Sequence, residues 1–244
     1  MKTGKYFLVM LLFVLISAMA QTAFSQEKVW EDTAELSYVQ TGGNTEVLTL
    51  SGNNSLKYIM SESWKGTWNV GLLYGKTDGV KNAERYSTDL RTDYEATDVL
   101  YCYILGGWLK DEFAGIDERF HLGPGAGYKI LTGDRHNLSA EAGLSFAREA
   151  YTDGDDNSFL EGRFLGEYEF IFNPKTKFTQ NVEYLHNFDE ADKFRVNAIS
   201  GLTTQLTDIF SLKVAYEMSY QNEPTPETLE QTDTRFSTAL VVNL

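Results

Sequence analysis

Histidine and serine are the residues of this chain whose chemistry most directly suggests catalysis. The three histidines are His121, His136 and His186. A lipid hydrolase working at a membrane surface needs a serine beside a histidine, with a polar residue that orients the imidazole ring. His186 shares a two-residue phase with Val182 and Tyr184, whereas Ser200, the nearest serine facing the same way on the next segment, is several residues out of register. The favoured interpretation is a histidine at a membrane interface, and the sequence predicts no enzymatic activity.

Two short motifs suggest ion binding. The run Gly-Pro-Gly-Ala-Gly at residues 123–127 superficially resembles a phosphate loop, but such a loop must open a helix, and no helical periodicity follows it. Glycines at alternate positions more simply leave room for a bulky neighbour. Asp153, Asp155 and Asp156 are candidates for a divalent-cation site because they cluster carboxylate oxygens, but their spacing is not that of an EF-hand. A solvated acidic loop is favoured there, and no cofactor is expected.

Composition excludes several classes of protein. The chain has 244 residues, of which 42% are hydrophobic, and its net charge is −14, with 35 acidic residues against 21 lysines and arginines. That balance argues against nucleic-acid binding, which needs a basic face. The single cysteine, Cys102, has no partner for an intrachain disulfide and is expected to be a small wall residue.

The first residues have the pattern of an export signal. Lys2 and Lys5 precede an apolar run at residues 6–16, and Ala18-Met19-Ala20 supplies small residues at a cleavage position. These features predict a signal peptide over residues 1–20, with cleavage as late as residue 25. No later stretch approaches the length of a membrane-spanning apolar helix.

Beyond the signal, apolar and polar residues alternate along almost the whole chain. Such alternation with a period of two indicates strands with one polar face. About twelve segments are predicted, beginning near Trp30, Thr45, Trp64, Glu84, Val99, Asp117, Asn137, Ser158, Lys177, Phe194, Phe210 and Thr232. Most have the roughly 9–11 residues that a strand needs to cross a bilayer. Because residues 99–109 are apolar in both phases, the pattern leaves the facing of that segment open.

The connections between these segments also alternate in length. Short turns are expected at residues 61–63, 97–98, 133–134, 173–176 and 207–208, and longer acidic loops at residues 75–82, 111–116, 151–157, 189–192 and 222–231. This pattern is typical of an outer-membrane barrel. We therefore predict an all-β fold, a closed antiparallel transmembrane β-barrel over residues 30–244. A soluble β-sandwich acting as a periplasmic binding module is the rival fold, since its strands also alternate.

Aromatic residues recur near the predicted strand ends, where interfacial girdles are expected. They are Trp30, Tyr58, Trp64, Tyr74, Tyr101, Tyr128, Phe172, Phe188 and Tyr220.

Charged residues of both signs occupy the polar phase of the strands, which places them in the predicted lumen. They are Arg85, Asp89, Arg91, Asp93, Asp117, Arg119, Glu141, Glu161, Arg163, Glu167, Glu183, Arg195, Asp233 and Arg235. Two interpretations remain open: a salt-bridge network that fills the barrel, or a narrow pore that prefers cations. Twelve strands lie between the filled and the channel-forming barrel sizes, so strand number does not decide between them.

Several motifs, taken in order, resemble those of a known family. They are residues 41–46, 84–86, 113–119, 123–128 and 212–217, then Asn222 with Pro224 and Pro226, and finally residues 232–234. In this order and spacing the chain is similar to the salt-induced outer-membrane proteins of the YdiY-like family, domain of unknown function 481. The resemblance covers about residues 33–244 and implies an outer-membrane barrel with salt-associated induction and no established activity.

The sequence thus predicts an outer-membrane barrel that is either structural or a narrow cation-preferring pore. Its expected partners are outer-membrane lipid and, for a pore, small cations. The alternatives are a surface lipid hydrolase and the soluble sandwich module.

Overall fold

The computed structural model describes residues 29–42 and 45–244, and the predicted signal peptide lies outside them. Twelve strands form the described part of the chain. They are β1 (Trp30–Thr41), β2 (Val47–Ile59), β3 (Trp64–Thr77), β4 (Val80–Glu95), β5 (Leu100–Asp111), β6 (Ile116–Thr132), β7 (His136–Tyr151), β8 (Asp156–Asn173), β9 (Thr176–Asn187), β10 (Phe194–Gln205), β11 (Phe210–Gln221) and β12 (Thr232–Asn243). One turn of 3₁₀ helix, Glu112–Ala114, follows β5. None of the described residues forms a helix long and apolar enough to cross a bilayer.

Each strand pairs antiparallel with its neighbour in sequence, and β1 pairs with β12, so the sheet is a closed barrel. Closure confirms the predicted barrel and excludes the sandwich, whose two sheets would keep free edges. The even number of strands places Trp30 and Leu244 at one end, called here the terminal end, together with the connections after β2, β4, β6, β8 and β10. The other connections lie at the opposite end, called here the loop end.

Residues 75–82 do not form the long loop that their polarity predicts. β3 continues to Thr77 and β4 begins at Val80, and only Asp78 and Gly79 separate them. Both turn residues have positive φ, 50° and 80°, which is the conformation that suits the twist of a two-residue hairpin. The prediction was wrong because the polar residues on either side of this turn belong to strands.

Cross-strand pairing assigns every strand residue to the inside or the outside of the barrel, because directly paired residues face the same way. In β5 the pairs Asp93↔Tyr103 and Glu95↔Tyr101 turn the odd-numbered residues inward. The facing that the sequence left open is therefore settled, and Cys102 faces outward and is exposed. Tyr101 is 8% exposed inside the barrel, so its predicted place in an interfacial girdle was wrong.

Other aromatic side chains face outward at the barrel ends. Trp30 contacts Tyr58 with ring centroids 4.2 Å apart, and Trp64 contacts Tyr94 at 5.0 Å. These pairs lie at the terminal end, on neighbouring strands, where amphipathic rings suit a membrane interface.

Candidate functional site: the barrel lumen

The register directs all but one of the predicted lumen charges into the barrel. Asp117 is the exception, because the pairing of β6 shifts between Ile116 and Glu118. Ile116 is buried and Asp117 is exposed, and Asp117 accepts a hydrogen bond from the outward-facing Lys110. A local irregularity in one strand thus moves a carboxylate that a strict two-residue period places inside.

A first ion-pair network, called here the Glu141 network, crosses the lumen from β4 to β9. The Glu141 carboxylate accepts hydrogen bonds from Arg91 at 2.7 and 3.0 Å, from Arg163 at 2.8 Å and from the Tyr101 hydroxyl at 2.8 Å. Arg163 also donates to Glu183 at 2.7 Å. Because charge-assisted hydrogen bonds fill both oxygens of Glu141, this carboxylate holds two strands' arginines in fixed positions.

The glycine-rich run in β6 makes room for this network. A Cβ atom at Gly125 would lie 2.2 Å from the Tyr103 ring, and one at Gly127 would lie 2.1 Å from the Tyr101 ring. The two rings therefore lie flat across β6, and the Arg91 guanidinium stacks 4.1 Å from the centroid of Tyr103. The motif has a packing role and does not open a helix, in agreement with the interpretation from sequence.

A second network, called here the Glu149 network, lies closer to the loop end. Glu149 is fully buried and accepts hydrogen bonds from Arg119 and Arg195, and from the Tyr151 hydroxyl at 2.7 Å. Arg119 also donates to Glu161 at 2.6 Å. The predicted set of lumen charges lacked Glu149. Glu149 shares the two-residue phase of Glu141 on β7, so the alternation in the sequence could have identified it as a lumen residue.

Uncharged polar groups and one carboxylate, Glu35, line the opposite side of the lumen. A cavity of about 140 Å³, called here the polar cavity, is bordered by β1, β2, β3 and β4. Its lining includes Asn53, Ser55, Asn69 and Ser87, together with Glu35. Glu35 accepts hydrogen bonds from Lys213 of β11 at 2.7 and 3.0 Å, across β12. The lumen is therefore packed with ion pairs on one side and hollow on the other.

The charges inside the barrel do not balance locally. Every inward-facing lysine and arginine of the described strands has a carboxylate within 4.0 Å; these basic residues are Lys57, Lys65, Arg85, Arg91, Arg119, Lys129, Arg163, Lys177, Arg195, Lys213 and Arg235. Three inward-facing carboxylates of the described strands have no lysine or arginine at that distance: Asp89, Glu167 and Asp233. Asp89 lies 3.5 Å from His121, and Glu167 accepts a hydrogen bond from Ser139 at 3.4 Å. The uncompensated charge of the lumen is therefore negative.

Residues 222–231, called here the strap, cross the mouth of the barrel at the loop end. They connect β11 to β12, and they meet Gly115, which lies half-way around the barrel between β5 and β6. A Cβ atom at Gly115 would lie 1.9 Å from the carbonyl oxygen of Thr225 and 2.8 Å from the Leu229 side chain. The strap thus divides the mouth into a half above the Glu149 network and a half above the polar cavity.

The other candidate residues do not converge. In the β9–β10 register His186 pairs with Phe194 and Ser200 with Gln180, six positions away, which is about 20 Å along a strand. The Ser200 hydroxyl donates to Gln180, and His186 contacts Tyr184. These two residues therefore do not form a nucleophile–base pair.

The acidic turn between β7 and β8 also lacks a convergent ligand set. Asp153 accepts a hydrogen bond from the backbone of Asp155, and Asp156 pairs with Arg148 at 3.3 Å. Among the described residues, no group of three potential metal-binding side chains lies close enough together to hold an ion.

Comparisons with known proteins agree with this architecture. The uncharacterized protein YdiY of Escherichia coli (strain K12) is 27% identical over 221 residues, which cover 88% of this chain and 84% of YdiY. The translocator domain of the autotransporter NalP from Neisseria meningitidis has a similar fold, with a TM-score of 0.54, 13% identity, and coverage of 99% of this chain and 97% of that one. The COG4313 outer membrane channel from Pseudomonas putida F1 also has a TM-score of 0.54, with 10% identity over 88% of this chain and 95% of that one.

At these identities the solved structures show the fold, which is that of outer-membrane β-barrels. The family assignment comes from the sequence itself. The family model described as a protein of unknown function, DUF481, matches residues 34–244. This chain therefore belongs to the DUF481 family.

Proposed function

We propose that this protein is a narrow outer-membrane pore that prefers cations. The observation that carries the proposal is the charge of the lumen: all of its described lysines and arginines are paired, while Asp89, Glu167 and Asp233 are not. These three carboxylates lie on β4, β8 and β12, one third of the way around the barrel from one another. A cation moving along the lumen thus passes negative charge on three sides, whereas an anion passes no unpaired positive side chain of the described strands.

Exposed side chains that face inward support a water path through the lumen. Asn53 and Ile199 both face inward and are exposed, Ile199 by 40%, so the lumen is not filled at their positions. The two ion-pair networks favour a second candidate function, a structural barrel with a blocked lumen. Conductance of the reconstituted protein distinguishes the two, because only an open path carries current.

The selectivity prediction uses the three unpaired carboxylates. In a planar bilayer with a KCl gradient, the reversal potential of the native barrel should have the sign of a cation-preferring pore. Replacing the three together (Asp89→Asn, Glu167→Gln, Asp233→Asn) should move the reversal potential towards zero, because the source of the preference is removed. At high salt the native preference should also weaken, since the Debye length falls from about 10 Å at 0.1 M to about 3 Å at 1 M.

The matched control removes the same number of charges outside the lumen. Glu62, Asp98 and Asp134 are exposed in turns at the terminal end, and replacing them with amides should leave the reversal potential almost unchanged. Anion preference of the native barrel would refute the pore proposal, and a sealed bilayer would support the structural barrel in its place. Salt-associated induction, which the family resemblance implies, belongs to this proposal as the condition under which the pore is made.

A topology prediction follows from placing the chain in an outer membrane. Such barrels have short periplasmic turns and longer extracellular loops, so the loop end should face the medium. An epitope inserted at Asp155, between β7 and β8, should be labelled by antibody on intact cells. One inserted at Pro174, between β8 and β9, should be labelled only after the envelope is permeabilised. The reverse pattern would show that the barrel is inserted the other way.

A further inference from the structure

The junction between the first and last strands is incompletely closed. β1 and β12 pair at four positions, from Thr33↔Asn243 to Leu36↔Leu240, whereas every other neighbouring pair of strands is joined at eleven or more. Towards the loop end, residues 37–41 of β1 and 232–239 of β12 have no paired partner across the β1–β12 junction, although both segments pair with their other neighbouring strand. These two edges border an opening in the wall, called here the seam opening.

The seam opening is large enough to matter in a bilayer. Five residues of β1 extend about 17 Å along the strand, which at a tilt of about 40° is about 13 Å of height, or up to half of the roughly 25 Å apolar band of an outer-membrane barrel. Unpaired backbone N–H and C=O groups cannot be satisfied by lipid tails, and each one costs several kcal/mol in hydrocarbon. Whatever occupies the opening must therefore bring polar atoms or water to these edges.

The two sides of the opening differ in chemistry. On the outside, Tyr38 is 53% exposed and Phe236 is 72% exposed, which gives the opening an aromatic rim. On the inside, β1 and β2 lead to the polar cavity. The basic side chains nearest the opening are neutralised: Lys213 by Glu35, and Arg235 by Glu217 at 2.6 Å. The opening thus joins an aromatic rim on the outside to a polar interior that carries no net positive charge.

The strap makes this lateral route distinct from the mouth. The strap ends at the start of β12, the strand that borders the opening, and it contacts Gly115 on the opposite rim. At the loop end the lumen is therefore bridged above, while its wall is unpaired beside β12.

We propose that the seam opening is a lateral entrance for single-chain amphiphiles from the leaflet on the loop side. The amphiphile places an uncharged or zwitterionic head in the polar cavity, where Asn53, Asn69, Ser55 and Ser87 offer amide and hydroxyl hydrogen bonds. Its glycerol and ester oxygens lie at the unpaired edges of the opening, and its apolar chain extends past Tyr38 and Phe236 into the surrounding lipid. This inference goes beyond ion conduction and does not depend on it.

The test uses a lysophosphatidylcholine with a photoactivatable group close to its head, added to the full-length barrel in phosphatidylcholine vesicles. Mass spectrometry should find the label on the inward-facing Asn53 and Asn69. A barrel closed to lipid would be labelled only on outward residues such as Tyr38 and Phe236, and that result would overturn the proposal.

Closing the opening should abolish the inner labelling. If the register of the paired part continued, Val39 would meet Ser237, so the double variant Val39→Cys/Ser237→Cys in a Cys102→Ala background should lock the seam on oxidation. Labelling of Asn53 and Asn69 should fall to background and return on reduction. The control disulfide, Ala34→Cys/Val242→Cys, joins residues that are already paired and should leave labelling unchanged.

A second variant closes the seam opening without a disulfide bond, so the test does not depend on oxidation. Ser237→Trp fills the opening without oxidation and should also abolish inner labelling. Inner labelling that persists in either closed variant would overturn the proposal. So would a disulfide that joins two chains, because it would assign the edges to a second copy of the barrel. Ion selectivity, measured separately, reports on the proposed pore, so the two proposals can fail independently.

Discussion

Replacing Glu149 with glutamine should destabilise the barrel by about 3–5 kcal/mol, the typical cost of removing one partner from a buried ion pair. Glu149 is fully buried, and both Arg119 and Arg195 donate to its carboxylate. The variant loses the negative charge that compensates two guanidinium groups, and Arg195 has no other carboxylate at salt-bridge distance among the described residues. Equilibrium urea unfolding of the protein folded into lipid vesicles measures the difference.

An exposed ion pair of another inward-facing glutamate supplies the control. Glu31 pairs with Lys57 at 2.9 Å, but their side chains are 54% and 37% exposed. Because water solvates both charges when the pair is broken, Glu31→Gln should cost less than about 1 kcal/mol. Equal effects at Glu31 and Glu149 would contradict the view that the Glu149 network braces the barrel. A double replacement, Glu149→Gln with Arg195→Met, should cost less than the sum of the two single changes, since it removes both members of one interaction.

The architecture was predictable because one physical rule governs most of the chain. A strand between lipid and a polar lumen must alternate, and alternation with a period of two gives strand number, approximate position and facing together. The twelve predicted starting positions lie within four residues of the observed ones. Alternation gave the wrong loop length or facing at two places where local backbone geometry determines the structure. The Asp78-Gly79 turn is set by two positive φ angles, and the facing of Asp117 is set by a shift in register.

The sequence predicted which residues of the candidate site face the lumen, but it did not predict which of them contact one another. Phase places Arg91, Arg163 and Glu141 inside the barrel, yet nothing in the sequence says that they meet, because they come from β4, β8 and β7. Contacts across the lumen depend on closure and on the stagger of the strands. Lys213 and Glu35, 178 residues apart, illustrate this dependence. The roles of Tyr101 and Tyr103 were missed for a related reason: β5 is apolar in both phases, and the fit of the two rings against the glycines of β6 decides its facing.

Arginine substitutions at two adjacent residues of β10 should differ strongly in their effect on the stability of the barrel. Ala198 faces outward between Val182 and Met218, and Ile199 faces inward between Asn181 and Glu217. Ala198→Arg should destabilise the barrel by about 2–4 kcal/mol, because near the bilayer midplane the guanidinium must lose its water or deform the membrane. Ile199→Arg should cost much less, since Ile199 is 40% exposed inside the barrel and the guanidinium of its replacement can stay hydrated in the lumen. Both free energies of unfolding are measured in vesicles.

A size control separates charge from bulk at Ala198. Ala198→Leu adds volume on the same lipid-facing surface without a charge, so it should leave the stability unchanged or raise it slightly through the added apolar contact with lipid. Lipid-facing and lumen-facing surfaces are both exposed when the barrel stands alone, and only a bilayer makes them chemically different. In lipid, therefore, the arginine penalties at residues 198 and 199 should diverge, even though the substitution introduces the same side chain. Equal penalties would mean either that the outer wall is hydrated or that the lumen excludes charge, and the pore proposed here requires that neither be true.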